Sequence, residues 1–154
     1  MRSGSESRHG RRGFTSIELL VVIVVFALLT SMVFPRINEA IRKARVNRAT
    51  HLIANDLEMA VAEAARQRRP VRVSCTCLAQ TYAITDRTGG TVRHSRNLGA
   101  GSEYALTTLT FSTSPVEIFP SGVASSALTV TLGVGSFTRQ ITMSTGGQVR
   151  VVPL

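Results

Sequence analysis

Between Phe14 and Phe34 the chain reads FTSIELLVVIVVFALLTSMVF, 21 residues carrying one charge and forming the only long apolar run in its 154. As a helix rising 1.5 Å per residue, that run spans roughly 31 Å, the thickness of a bilayer's hydrocarbon core. Before it stand Arg2, Arg8, Arg11 and Arg12 against Glu6, a net of 4 − 1 = +3 over residues 1–13. Arginines ahead of the run and none within it are expected to hold the amino end in the cytoplasm and place everything after Pro35 outside. A buried helix of a soluble domain is usually shorter, amphipathic and not preceded by such a basic cluster. Glu18 is the oddity, because a carboxylate at mid-membrane costs about 2.5–3.5 kcal/mol, though less near an end. A plain anchor would do better without it.

A secretory signal peptide needs a small-x-small cleavage site just past a short apolar core. Thr30-Ser31-Met32-Val33-Phe34-Pro35 offers only poor ones. Gly13-Phe14-Thr15-Ser16-Ile17-Glu18, with basic residues before it and the apolar run after it, instead resembles the prepilin processing motif of type IV pilins and type II secretion pseudopilins. The resemblance implies cleavage after Gly13 by a membrane prepilin peptidase, which then N-methylates the new first residue, Phe14. It places Glu18 at the fifth mature position and Pro35 where many family members bend their helix. Ser16 departs from the bulky apolar residue usual there, and processing is expected regardless. An α-amine created at Phe14 is mostly protonated near neutral pH and keeps its charge on monomethylation. The resemblance pairs that amine with Glu18 of an incoming subunit, a contact strong in low dielectric and costly to leave unmade, and so suited to setting register.

Past Pro35 the pattern turns amphipathic. Ile37, Ile41, Ala44, Ala49, Ile53, Leu57, Ala60 and Ala64 recur at helical spacing, with Arg42, Lys43, Arg45, Arg48, Asp56, Glu58 and Glu63 largely off that stripe. Arg66, Arg68 and Arg69 suit the negative end of a helix dipole, and Pro70 stops the helix. One helix is therefore predicted from about Thr15 to Arg69. The β-branched and alternating segments that follow predict five to eight short strands, turning at residues 86–90, at Pro120-Ser121-Gly122 and at Thr145-Gly146-Gly147. The expected class is α+β, with an antiparallel β domain packed as a sheet on the helix. The divisions are a cleaved leader at 1–13, a transmembrane or filament-core half-helix at 14–35, an amphipathic half at 36–69 and a β-rich outer domain at 70–154. AVAEAARQRRPVRV, VEIFPSGV and STGGQVRV also resemble the outer domain of GspH/FimT-type minor subunits.

The remaining constellations are plain. Cys75 and Cys77, two apart on a strand, are read as small half-buried residues, with a disulfide as the alternative on the oxidising side of the membrane. His9, His51 and His94 are scattered, and no metal, cofactor or enzyme pattern accompanies them. No acidic residue follows Glu117, which argues against a late carboxylate-built calcium loop. A sequence pI near 11.4 raises the question of DNA. Some minor pilins take up DNA through a Gly-Arg-x-Arg pattern, of which Gly147-Gln148-Val149-Arg150 keeps only Arg150. Residues 70–154 hold six arginines against three acids, sparse for a phosphate track. The expected function is therefore a minor pseudopilin-like subunit, with a DNA-binding uptake pilin as alternative. Expected partners are the prepilin peptidase, other pilin subunits, an inner-membrane assembly platform and, before assembly, membrane lipid.

Overall fold

The computed structural model describes residues 14–87 and 90–153. It divides into two compact units, Met1–Asn38 and Glu39–Leu154, and α1 (Ser16–Gln67) contributes to both. Within the first unit the helix is apolar all round. An 18-residue window of it has mean hydropathy 2.8, and none of that window is buried. Leu19, Ile23, Phe26 and Leu29 are each more than half exposed. A helix of this kind needs lipid or other helices around it. Two of its hydroxyls are satisfied locally: Thr30 Oγ1 donates to the Phe26 carbonyl at 2.6 Å and Ser31 Oγ to the Leu28 carbonyl at 2.8 Å. Such back-bonding spares these two donors from facing hydrocarbon unpaired.

In the second unit the helix has one buried face. Val46, Ala49, Ile53, Leu57, Ala60 and Ala64 are at most 2% exposed. The three alanines let strands approach the helix axis closely. The predicted stripe therefore holds from Ala49 onward, whereas Ile37, Ile41 and Ala44 are exposed. Arg68 takes a left-handed conformation (φ 54°) just past the helix end, and Pro70, with no N–H, leads into β1.

Strands β1 (Val71–Thr76), β2 (Thr81–Asp86), β3 (Val92–Asn97) and β5 (Val116–Ile118) form one antiparallel sheet in the order β3-β2-β1-β5. A second sheet has the order β4-β6-β7-β8, from β4 (Thr108–Phe111), β6 (Leu128–Val134), β7 (Phe137–Met143) and β8 (Val149–Pro153). The expectation of one sheet is thus corrected to two. Sequence-distant strands pair within each: Val71 opposes Ile118 and Leu109 opposes Leu132. Inward residues alternate, as in Leu128, Val130 and Leu132 of β6. Both sheets join the helix stripe in one core, with Val73, Tyr82 and Ile118 from the first and Val130, Leu132 and Ile141 from the second.

Two of the predicted turns, at residues 120–122 and 145–147, meet each other. Gly147 sits at φ +75°, and a Cβ there would lie 2.4 Å from the Gly122 carbonyl oxygen, so only glycine fits.

Candidate functional site: the capped amino-terminal helix and its outer clamp

Of the residues singled out for processing, Gly13 lies outside the described residues, as does His9. Phe14 is 76% exposed. In the unprocessed chain its nitrogen is an amide, so an amine–carboxylate pair with Glu18 requires cleavage first. Thr15 caps α1. Its carbonyl accepts the N–H groups of Glu18 at 3.1 Å and Leu19 at 3.2 Å, and its Oγ1 lies 3.3 Å from the Glu18 nitrogen. Thr15-Ser16-Ile17-Glu18 carries the S/T-x-x-E signature of a capping box, of which the Thr15 half is made, and the sequence reading passed over it. Glu18 also stands in the first turn, where a carboxylate complements the positive end of the helix dipole. The helix continues unbroken through Pro35.

The second unit holds its helix with buried charge. Asp56, expected off the apolar stripe, is fully buried, which corrects that reading. Its carboxylate accepts the Tyr82 hydroxyl at 2.5 Å and the Arg96 guanidinium at 3.1 Å, so β2 and β3 are both tied to α1. Burial first, and then the hydrogen bond to Asp56, pushes the Tyr82 hydroxyl far above the ordinary tyrosine range. The same carboxylate raises the affinity of Arg96 for its proton, through the hydrogen bond first and its charge second. Two turns further along, Glu63 takes Arg93 at 3.0 Å and Arg66 at 2.8 Å, and Arg93 also reaches Gln67 and Asp86. These contacts run beside a groove of about 560 Å³ between α1 and β3, lined by Met59, Glu63, Val92 and His94 among others. On the far side of the first sheet Glu117 bridges Arg72 at 2.9 Å and Arg87 at 3.4 Å.

Cys75 and Cys77 form a disulfide, which corrects the reading as two free small residues. The reason is local. The chain leaves β1 at Thr76 and tightens into a 3-10 turn at Cys77–Ala79, bringing the two α-carbons to 5.1 Å. A fully extended strand would hold them near the upper limit for bridging. His51 and His94 are exposed and apart on α1 and β3. Among the described residues no group of three or more His, Cys, Asp or Glu could hold a metal ion. Arg150 is exposed on β8, opposite Thr142 and between Val149 and Val151.

An apolar helix with a capped, acid-bearing start, continuing into an antiparallel β domain, defines the pilin-like class of membrane-anchored subunits. A model of the prokaryotic N-terminal methylation motif matches residues 8–34, and one described as type II transport protein GspH matches residues 49–147. The chain belongs to the GspH family. Its fold is similar to that of the type IV minor pilin FimU of Pseudomonas aeruginosa PAO1, at 16% identity and TM-score 0.58, covering 78% of this chain and 92% of that one. A second FimU crystal form gives 17% identity and TM-score 0.56, covering 70% and 92%. The minor pseudopilin EpsH from the type 2 secretion system of Vibrio cholerae gives 13% identity and TM-score 0.58, covering 71% and 97%. No curated protein matches the sequence.

Proposed function

We propose that the chain is the precursor of a minor subunit of a type II secretion pseudopilus or type IV pilus-like filament, and that it acts mechanically and catalyses no reaction. The observation that carries this is the single short stretch Gly13-Phe14-Thr15-Ser16-Ile17-Glu18 at the head of the apolar helix, inside the span matched by the methylation motif. Prepilin peptidase removes residues 1–13 and methylates Phe14. The helix holds the subunit in the inner membrane with its amino end cytoplasmic and its outer domain periplasmic, until an assembly platform draws it into a filament of packed helices. Glu18 then meets the Phe14 amine of a neighbour, and Pro35 bends the helix between its two halves.

Charge counting alone does not set that orientation. Four arginines precede the apolar run, while Arg36, Arg42, Lys43, Arg45 and Arg48 follow within fifteen residues. The second group leads into a folded domain, and domains translocate largely regardless of charge. The processing motif carries the orientation instead. A DNA-uptake role would rest on Arg150 as the one arginine of β8, too sparse for a phosphate track, and the filament reading is preferred.

Intact-mass analysis of the chain recovered from membranes tests the proposal. Loss of residues 1–13 with one methyl on Phe14 is expected, and an intact amino terminus refutes it.

A further inference from the structure

The basic residues that follow the apolar run are not absorbed by the filament reading. Arg42, Lys43, Arg45 and Arg48 are all exposed, and every residue from Glu39 to Arg45 is exposed as well, so the β domain does not cover the helix there. At about 100° per residue their azimuths, counted from Arg42, are roughly 0°, 100°, 300° and 240°, a ring around the axis and not a stripe along it. Among the described residues Arg42, Arg45 and Arg48 make no ion pair. Lys43 pairs with Glu39 at 2.6 Å, an exposed contact of little strength. Beside the ring, Phe137 of β7 has the Lys43 ammonium 6.0 Å and the Arg139 guanidinium 5.3 Å from its ring centre. Arg139 is held by Asn47 at 3.1 Å. A groove of about 420 Å³ lined by Glu39, Arg42, Lys43, Gly135 and Phe137 opens at this point, so a phosphate there must displace the Glu39 carboxylate from Lys43.

We infer that this collar binds the phosphate headgroups of anionic phospholipid. The inference rests on the membrane-anchored state of the proposed function and names the lipid class that state requires. Three observations select lipid over other polyanions. The collar begins eight residues after Phe34, roughly 12 Å of helix past the end of the apolar run, so its first cations come within side-chain reach of the headgroup layer. A duplex or an acidic protein face approaches from one side and would be met by a stripe, whereas a headgroup layer surrounds the helix and meets cations at every azimuth. The groove at Phe137 offers two of these cations and an aromatic wall to one headgroup. The collar thus holds the subunit at the bilayer surface until it is extracted, and exchanging lipid phosphates for neighbouring subunits becomes part of the assembly equilibrium.

The test uses the full-length, unprocessed chain in neutral detergent, offered equal amounts of phosphatidylglycerol and phosphatidylcholine and read by native mass spectrometry. A basic side chain close to an anionic surface is worth roughly fivefold in partitioning. With imperfect contacts among four, phosphatidylglycerol adducts should outnumber phosphatidylcholine adducts by about tenfold or more. The variant Arg42→Gln/Lys43→Gln/Arg45→Gln/Arg48→Gln should lower the ratio several-fold, to what the leader arginines and Arg36 retain, with its circular dichroism unchanged. Arg66→Gln/Arg68→Gln/Arg69→Gln/Arg150→Gln removes as much charge elsewhere and should keep the preference. Equal adducts on the wild type, or equal loss in both variants, would overturn the inference. So would a collar variant that loses binding to short duplex DNA while keeping its lipid preference. Because the unprocessed chain is used, a failed lipid preference leaves the filament reading intact, and failed processing leaves the lipid result intact.

Discussion

The Asp56 clamp makes a prediction whose sign is unusual. Tyr82 is 1% exposed and Asp56 fully buried, and the hydroxyl donates to that carboxylate at 2.5 Å with the Arg96 guanidinium beside it. Tyr82→Phe removes a hydrogen bond to a charged acceptor and leaves the carboxylate paired with Arg96, a loss of about 1.5–3 kcal/mol. Asp56→Ala does more. It leaves the Tyr82 hydroxyl buried with nothing to donate to, about 1–3 kcal/mol beyond the lost hydrogen bond, while Arg96, 40% exposed, returns to water at little cost. Against a total domain stability of about 5–15 kcal/mol, that is a large fraction.

The double variant decides whether that account is right. Once Asp56 is gone, removing the stranded hydroxyl should be neutral or stabilising, because the group that suffered desolvation has been taken away. Tyr82→Phe should therefore destabilise the wild type and fail to destabilise Asp56→Ala, a coupling of about 1.5–3 kcal/mol. The assay is urea unfolding of the Glu39–Leu154 unit followed by circular dichroism, since every member of the hydrophobic core lies inside that unit. Additive losses would refute the clamp, and would mean that Asp56 contributes to Tyr82 and Arg96 independently.

Glu18→Gln keeps the capping box, because Gln serves at that position as Glu does, but removes the charge. Incorporation into filaments should fail for both Glu18→Gln and Glu18→Ala, with processing scored separately by mass. Normal incorporation of the Gln variant would show that capping alone explains Glu18. At alkaline pH the raised Tyr82 pKa means that the folded chain keeps a proton which the unfolded chain releases near pH 10. That contribution is complete below about pH 10 and is lost above it, at about 1.4 kcal/mol per pH unit. Urea titrations between about pH 9 and 11 should show this extra slope in the wild type and not in Tyr82→Phe. Gly147→Ala combines a left-handed backbone with a 2.4 Å clash, while Gly135→Ala at φ +60° meets nothing within 4 Å. The second should cost about 1–2 kcal/mol of strain and the first clearly more, read as thermal midpoints of the same unit.

What could be read from the chain alone was local. The processing motif, the end of the helix at Arg68–Pro70 and the turns at residues 120–122 and 145–147 each rest on a few adjacent residues whose backbone demands are their own. Partners distant in sequence were not legible. Asp56 looked like a surface acid because its reasons for being buried, Tyr82 and Arg96, lie 26 and 40 positions away. The polar segment VRHSRN forms β3 through to Asn97 as an edge strand paired only with β2. The split into two sheets depends on β1 finding β5 and β4 finding β6 across intervening strands. Such pairings leave no periodic trace. The disulfide escaped for a different reason, since its geometry depends on one 3-10 turn beginning at Cys77.

Capping and assembly make related demands on Glu18. Cleavage after Gly13 would leave Thr15 as the second residue of the mature chain, so the cap that starts α1 at Ser16 would survive processing. It would also set a new positive amine on Phe14 against the positive end of the helix dipole, an unfavourable placement. Glu18, one turn in, is the acid nearest along the chain to offset it. A lone mature subunit therefore has a reason to fold its carboxylate back toward its own amine, and a neighbour's amine must compete with that contact. Pairing between subunits then gains little net energy, because a self-contact is exchanged for a similar one. It gains specificity, because only a neighbour in register offers its amine at the depth of Glu18. On this argument the two residues select position along the filament, and the apolar surface of Ile17 to Phe34, exposed in the single chain, supplies most of the driving force.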